Sequence, residues 1–247
     1  VSERQRSRRA LEGIDDGCIA CARSTEDGRL SMSTARLPSA RAQTLGEEIA
    51  NSISHALGLV VAIIGTPFLI LEVARYGDGG AILGVSIFCA AMILMYSASS
   101  VYHALPVGRA KRLFCILDHS AIFVLIAGTY TPFTLGVLRD SVGAALFTLV
   151  WAIAIVGIAL KAFGKIAHPL VSTGPYAVMG WLIVFAMGPL IAAVPPTGMA
   201  WLLAGGFSYS LGVVFFVTDY RIPYGHMVWH AFVVGGTVCH YFAVLWY

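Results

Sequence analysis

Ala56-Leu57-Gly58-Leu59-Val60-Val61-Ala62-Ile63-Ile64-Gly65-Thr66-Pro67-Phe68-Leu69-Ile70-Leu71 contains no charge and a single polar side chain, Thr66. It forms the centre of an apolar stretch over 53–73. At 1.5 Å rise per residue, about 20 such residues cross a hydrocarbon core of roughly 30 Å. The run is continuous, whereas a strand of a membrane β-barrel alternates apolar and polar at every second residue. Six more stretches of the same kind follow, at 81–102, 113–137, 142–162, 176–194, 198–217 and 227–247. Between them lie turn-forming or charged segments: Tyr76-Gly77-Asp78-Gly79-Gly80, Pro106 to Arg112, Arg139-Asp140, Lys161 to Pro175, Pro195-Pro196-Thr197-Gly198 and Asp219 to Gly225. The expected fold is all-α, a polytopic membrane protein built as a bundle of seven transmembrane helices.

Composition points the same way. Of 247 residues, 58% are hydrophobic and 12% charged, against about half and a quarter in soluble domains, which excludes a soluble globular fold. Sixteen of the 29 charged residues lie within residues 1–48. Residues 1–45 lack apolar periodicity and are expected to be a disordered cytoplasmic tail, with 46–247 as the seven-helix transmembrane domain. The basic start runs into charged sequence where a signal peptide would have an apolar core, so no signal peptide is expected. Val1 in place of Met points to an alternative start codon or a trimmed chain. Cys18 and Cys21 form a C-x-x-C with no second pair, and read as incidental. Cys89, Cys115 and Cys239 fall within spans and read as small apolar groups.

Orientation follows from Lys and Arg, which cytoplasmic loops retain. One side carries the eight Arg of the tail, then Arg109, Lys111, Arg112, Lys161, Lys165 and Arg221; the other carries Arg75 and Arg139. Without the tail the count is still six against two. The expected placement is the cell inner (plasma) membrane, multi-pass, with the N-terminus in the cytoplasm and Tyr247 outside.

Polar and ionisable groups are costly inside a bilayer, so those present are candidates for function. The topology brings most of them to the cytoplasmic leaflet. Glu48, Asn51 and His55 share one helical face where span 1 begins, Ser99 and His103 lie one turn apart where span 2 ends, Asp118 and His119 lie near the start of span 3, and His226 and His230 open span 7. His226 and His230 are at i and i+4, the spacing by which two imidazoles on a helix grip one zinc. A third histidine from span 2, His103, would complete three protein ligands and leave a fourth position for water, as in catalytic zinc sites. Asp118 is the only carboxylate well inside any span.

Plainer readings stay open on the residues alone. The histidine pair reads also as wetted residues at a membrane interface. Asp118 reads also as a partner of Arg112 or a cap of span 3, and Glu48, Asn51 and His55 as caps of span 1. His119 lies about 100° around the helix from Asp118 and reads as a packing residue or one behind the ligands. His168 reads as a solvated loop residue, and His240 as too deep for the same metal. Gly180, Gly188, Gly205, Gly206 and Gly212 permit close helix contacts, within one chain or between chains.

Four pieces come in a fixed order over about residues 46–247: Glu48-x-x-Asn51-x-x-x-His55, Ser99-x-x-x-His103, Leu117-Asp118-His119 with Ala127-Gly128-Thr129-Tyr130-Thr131-Pro132, and His226-x-x-x-His230. Together they resemble the hemolysin III family, the bacterial branch of the progestin and adipoQ receptor superfamily that includes the adiponectin receptors. The resemblance implies a seven-helix bundle with a cytoplasmic N-terminus and a zinc ion, Zn2+, held by His103, His226 and His230. It matches Ser99 and Asp118 to the family's serine and aspartate beside the metal. It also implies two activities: hydrolysis of lipid amides such as ceramides, with which members have been linked, and the pore-forming lysis of red cells that the family's name describes.

Three functions are carried forward. The first is a zinc-dependent hydrolase of lipid amides or esters, in which Asp118 would hold or deprotonate a water and Ser99 would hydrogen-bond that water or a developing oxyanion. The second is a pore-forming hemolysin, against which stand the absence of a sustained polar stripe and of a signal peptide. The third is a non-enzymatic receptor or regulator of membrane lipid state with a structural zinc. Membrane lipids are the expected partners and no nucleic acid is expected; the oligomeric state is left open.

Overall fold

The computed structural model describes residue 41 and residues 43–139, 141–163 and 169–246. Among these the secondary structure is entirely helical: α1 (Leu45–Tyr76), α2 (Gly79–Ala104), α3 (Arg109–Leu135), α4 (Ser141–Ala162), α5 (Pro169–Trp181), a 3₁₀ segment (Leu182–Ala186), α6 (Met187–Ala193), α7 (Pro196–Thr218) and α8 (Gly225–Leu245). The fifth crossing is made from α5, the 3₁₀ segment and α6. Seven segments are therefore long and apolar enough to cross a membrane, as the apolar runs predict. Most of the expected tail, with Cys18 and Cys21, and the loop residue His168 lie outside the described residues.

The first helix starts at Leu45, well ahead of the apolar run that begins at residue 53. A capping box starts it early: Thr44 Oγ1 accepts from Glu47 N at 3.3 Å while the Glu47 carboxylate accepts from Thr44 N at 2.8 Å. The cap of α1 is thus Thr44. Glu48, Asn51 and His55 lie inside the helix, and Asn51 and His55 are fully buried against the bundle. At the other end Asp78 caps α2, accepting from Gly80 N and Ala81 N at 3.0 and 3.1 Å, and pairs with Arg139 in the α3–α4 link. The Arg139 guanidinium and these amides hold the Asp78 carboxyl down at about 2.

Helix α3 packs between α2 and α4 and also meets α5 and the start of α8, while α8 lies against α7 and α1. Val85, Phe88 and Met95 of α2, Phe123 of α3, Val150 of α4 and Met179 of α5 form the buried core. Leu57, Ile64, Phe68 and Leu71 of α1, with Phe207, Leu211 and Val214 of α7, face outward, as a lipid-facing surface does. The α7–α8 contact is close because Gly212 leaves room for the second helix; a Cβ there would stand 2.8 Å from both Trp229 Cε3 and Phe232 Cβ. Gly205 does the same beneath the His240 ring. Both contacts are within the chain, whereas Gly180, Gly188 and Gly206 face open space.

The fifth crossing is broken where α5 gives way to the 3₁₀ segment. There the single hydroxyl proton of Tyr130 in α3 is shared between Met179 O at 2.7 Å and Gly180 O at 2.9 Å, and the hydroxyl oxygen accepts from Ile183 N at 3.0 Å. One side chain thereby satisfies backbone groups that the tightened helix no longer pairs.

Candidate metal centre

The start of α1, the end of α2, the first turns of α3 and the start of α8 meet at one end of the bundle. There one ring nitrogen each from His103, His226 and His230 lies within 4.8 Å of the others, the one such group of three or more His, Cys, Asp or Glu residues among the described residues. Ring centroids stand 5.2 Å apart for His103 and His226, 5.1 Å for His103 and His230, and 4.7 Å for His226 and His230. His103 and His230 are buried and His226 is partly so.

Each Nδ1 is committed to an oxygen behind the ring. His103 Nδ1 lies 2.7 Å from Glu48 Oε2, and His226 Nδ1 lies 2.9 Å from Asp219 Oδ2. His230 Nδ1 lies 3.0 Å from Ser54 Oγ and 3.2 Å from Asn51 O, onto which Ser54 Oγ itself donates at 2.7 Å. A carbonyl and an ionised carboxylate only accept, so the proton of each imidazole sits on Nδ1 and the lone pair on Nε2. Nε2 of His103 is buried with no hydrogen-bond partner. Three imidazoles with their outer nitrogens on acceptors and an inner nitrogen each to offer form a donor set that can hold a divalent metal ion, together with the outer bonds that fix such ligands. Glu48 is held in turn by Lys111, whose Nζ donates to Oε1 at 2.9 Å and to Leu105 O at 3.2 Å.

Asp118 sits nine residues past the first residue of α3, about two and a half turns in. It is not a cap, and no Asp118–Arg112 ion pair exists among the described residues, so both plainer readings of this residue fall. The carboxylate is buried within electrostatic reach of His226 and against Ser99, yet neither Asp118 Oδ1 nor Ser99 Oγ has a partner in hydrogen-bond geometry. Such orphaned polar atoms inside an apolar bundle cost about 1–3 kcal/mol each, and mark a place where a polar molecule belongs.

The matching sequence family is described as "Haemolysin-III related", over residues 43–241. The chain belongs to this family. Among similar members, it is 43% identical over 204 residues to the "Hemolysin-3 homolog" of Bacillus subtilis (strain 168), covering 83% of this chain and 95% of that one. It is 40% identical over 205 residues to "Hemolysin-3" of Bacillus cereus, covering 83% and 93%. At 26% identity over 208 residues, 81% of this chain and 84% of the other, it is similar to "Monocyte to macrophage differentiation factor" of Homo sapiens.

Of the residues singled out in this haemolysin-III chain, His103, His226 and His230 come together, with Ser99 and Asp118 beside them. His119 turns its Nδ1–H onto Cys115 O at 2.7 Å, and His240 turns its own onto Gly236 O at 2.7 Å; neither joins the cluster. His55 lies flat on His230, centroids 3.6 Å apart and planes 12° apart, with both ring nitrogens unpartnered. Asp219 was missed. It lies in the turn between Thr218 and Gly225, where the chain is not one continuous helix, so its seven-residue separation from His226 could not be read as a shared helical face. Glu48 was visible on the inner face of span 1, but its bond to His103 needs the packing of α1 on α2.

Proposed function

We propose that the chain is a zinc-dependent hydrolase in the cell inner membrane, acting on the amide or ester bond of a lipid, with its site in the cytoplasmic leaflet. The observation that carries this reading is the convergence of one ring nitrogen each from three histidines beside the unpartnered Asp118 Oδ1 and Ser99 Oγ. His103, His226 and His230 would hold the zinc. The chemistry zinc supplies in a site of three histidines is Lewis acidity, which polarises a carbonyl and makes water nucleophilic near neutral pH. Asp118 takes a proton on its carboxylate from the attacking water and returns it to the leaving group. The Ser99 hydroxyl donates a hydrogen bond to the oxygen on which negative charge develops, inside a protein interior where such a bond is strong. A site at the membrane end of a helix bundle suits a substrate that never leaves the bilayer. The six-to-two excess of Lys and Arg supports the cytoplasmic placement.

Lysis, the activity for which the Bacillus cereus relative is named, finds less support. Among the described residues the unpartnered buried polar atoms gather mainly near one end of the bundle and do not line a path across it.

The test is Asp118→Asn. The variant keeps shape and zinc but lacks a base, so release of fatty acid from a lipid amide is expected to fall by about 10²-fold or more. Full activity with zinc retained contradicts the mechanism, and loss of zinc makes Asp118 a ligand.

A further inference from the structure

Glu47 stands next to Glu48 in the chain but about 100° around the helix, and serves a different partner set. Its buried carboxylate accepts from both terminal guanidinium nitrogens of Arg41, with Nη1 at 2.8 Å, and also from Thr44 N at 2.8 Å and Thr44 Oγ1 at 2.9 Å. These contacts belong to the start of α1. A further one does not: Glu47 Oε1 accepts from the backbone N–H of Tyr224 at 2.9 Å, 177 residues away.

Tyr224 is the one non-glycine residue with positive φ among the described residues. Its φ of 59° and ψ of 13° are left-handed, a region disfavoured for a side chain of this size. It is also the residue on which α8 begins: its carbonyl accepts from Val228 N at 3.1 Å, and no side chain caps the helix. The turn that ends there is wound by Ile222 N onto Asp219 O at 3.2 Å and Gly225 N onto Ile222 O at 2.9 Å. Asp219 opens that turn and His226 follows it, so the conformation at Tyr224 sets how the carboxylate and the imidazole face each other.

We propose that Glu47 is a positioning residue for the metal centre: from the first turn of α1 it clamps Tyr224 in its left-handed conformation and so aligns Asp219 with His226. This rests on the zinc reading above. A capping box needs only the bond to Thr44 N, so the bond to Tyr224 is the part that helix initiation leaves unexplained.

The experiment measures zinc affinity of the full chain in detergent by competition with a fluorescent chelator, alongside the absorption spectrum of the cobalt-substituted protein, which reads ligand angles. Glu47→Gln is expected to weaken zinc roughly tenfold, the lower end for residues behind a metal ligand. Adding Tyr224→Gly should bring affinity and cobalt spectrum back to within about threefold of the wild type, because glycine takes the left-handed conformation without a Cβ penalty. Tyr224→Val with Glu47 intact should weaken zinc tenfold or more, because a β-branched residue resists that conformation. Glu47→Gln within twofold of wild type, or no recovery on adding Tyr224→Gly, overturns the clamp while leaving the zinc reading in place. Should Glu47→Gln fail to fold, Tyr224→Val alone decides, and unchanged affinity overturns the clamp. A wild-type chain that takes up no zinc overturns the zinc reading and the clamp with it.

Discussion

Replacing Asp219 by Asn tests whether the oxygens behind the imidazoles tune the metal site. The bond to His226 Nδ1 is 2.9 Å, with Asp219 27% and His226 15% exposed at the side chain. Asn keeps an acceptor oxygen of similar reach but removes the charge that raises the basicity of the ring. Loss of such a partner costs 10–100-fold in metal affinity, and partial solvent screening at this exposure places Asp219→Asn near the lower end, about tenfold or 1.4 kcal/mol. Glu48→Gln should cost more, about thirtyfold, because its bond to His103 is shorter at 2.7 Å and the His103 side chain is only 2% exposed. Both affinities are read by chelator competition at pH 7.5 in detergent, with thermal melting of the metal-free protein as the control for folding. If both variants bind zinc as tightly as the wild type, the Nδ1 bonds do not orient ligands and the three histidines are not the metal site. An Asp219 effect exceeding that of Glu48 would refute the ranking by burial.

Tyr130→Phe removes the hydroxyl that serves Met179 O, Gly180 O and Ile183 N, so thermal unfolding in detergent should show a loss of about 2 kcal/mol; an unchanged melting temperature would mean water replaces it. Asp78→Asn should lower the melting temperature by a few degrees at neutral pH. The Asp78 carboxyl is depressed in the folded chain to about 2, so its contribution is present above about pH 4 and fades as pH falls through 2; the gap between wild type and variant should close over that window and not above it. Alkaline phosphatase fused after residue 110 should be inactive and fused at Tyr247 active, as the six-to-two charge excess predicts; the reverse pattern inverts the topology.

The seven crossings were legible because runs such as Ala56 to Leu71 have few alternatives in a chain with so little charge. Helix ends were less so. Local hydrogen bonds of Thr44 and Glu47 extend α1 beyond its apolar run, and hydropathy carries no trace of them. The break in the fifth crossing was illegible, since it depends on a hydroxyl from Tyr130, far off in the sequence. Within the site, His226 and His230 announced themselves by helical spacing and His103 and Asp118 by their expected depth. The Asp219 bond to His226 depends on the winding of the turn between them, and the Ser54 bond to His230 and the stacking of His55 on His230 on tertiary packing, neither of which a periodicity encodes.

The central claim is a zinc held by His103, His226 and His230. X-ray absorption of the purified chain, with its metal content, measures it directly. The account predicts about one zinc per chain with three imidazole nitrogens at about 2.0–2.1 Å, and loading that is lost on acidification as protons compete for the ligand nitrogens. No zinc in the wild type, or equal zinc in a His226→Ala, His230→Ala double variant, would contradict it.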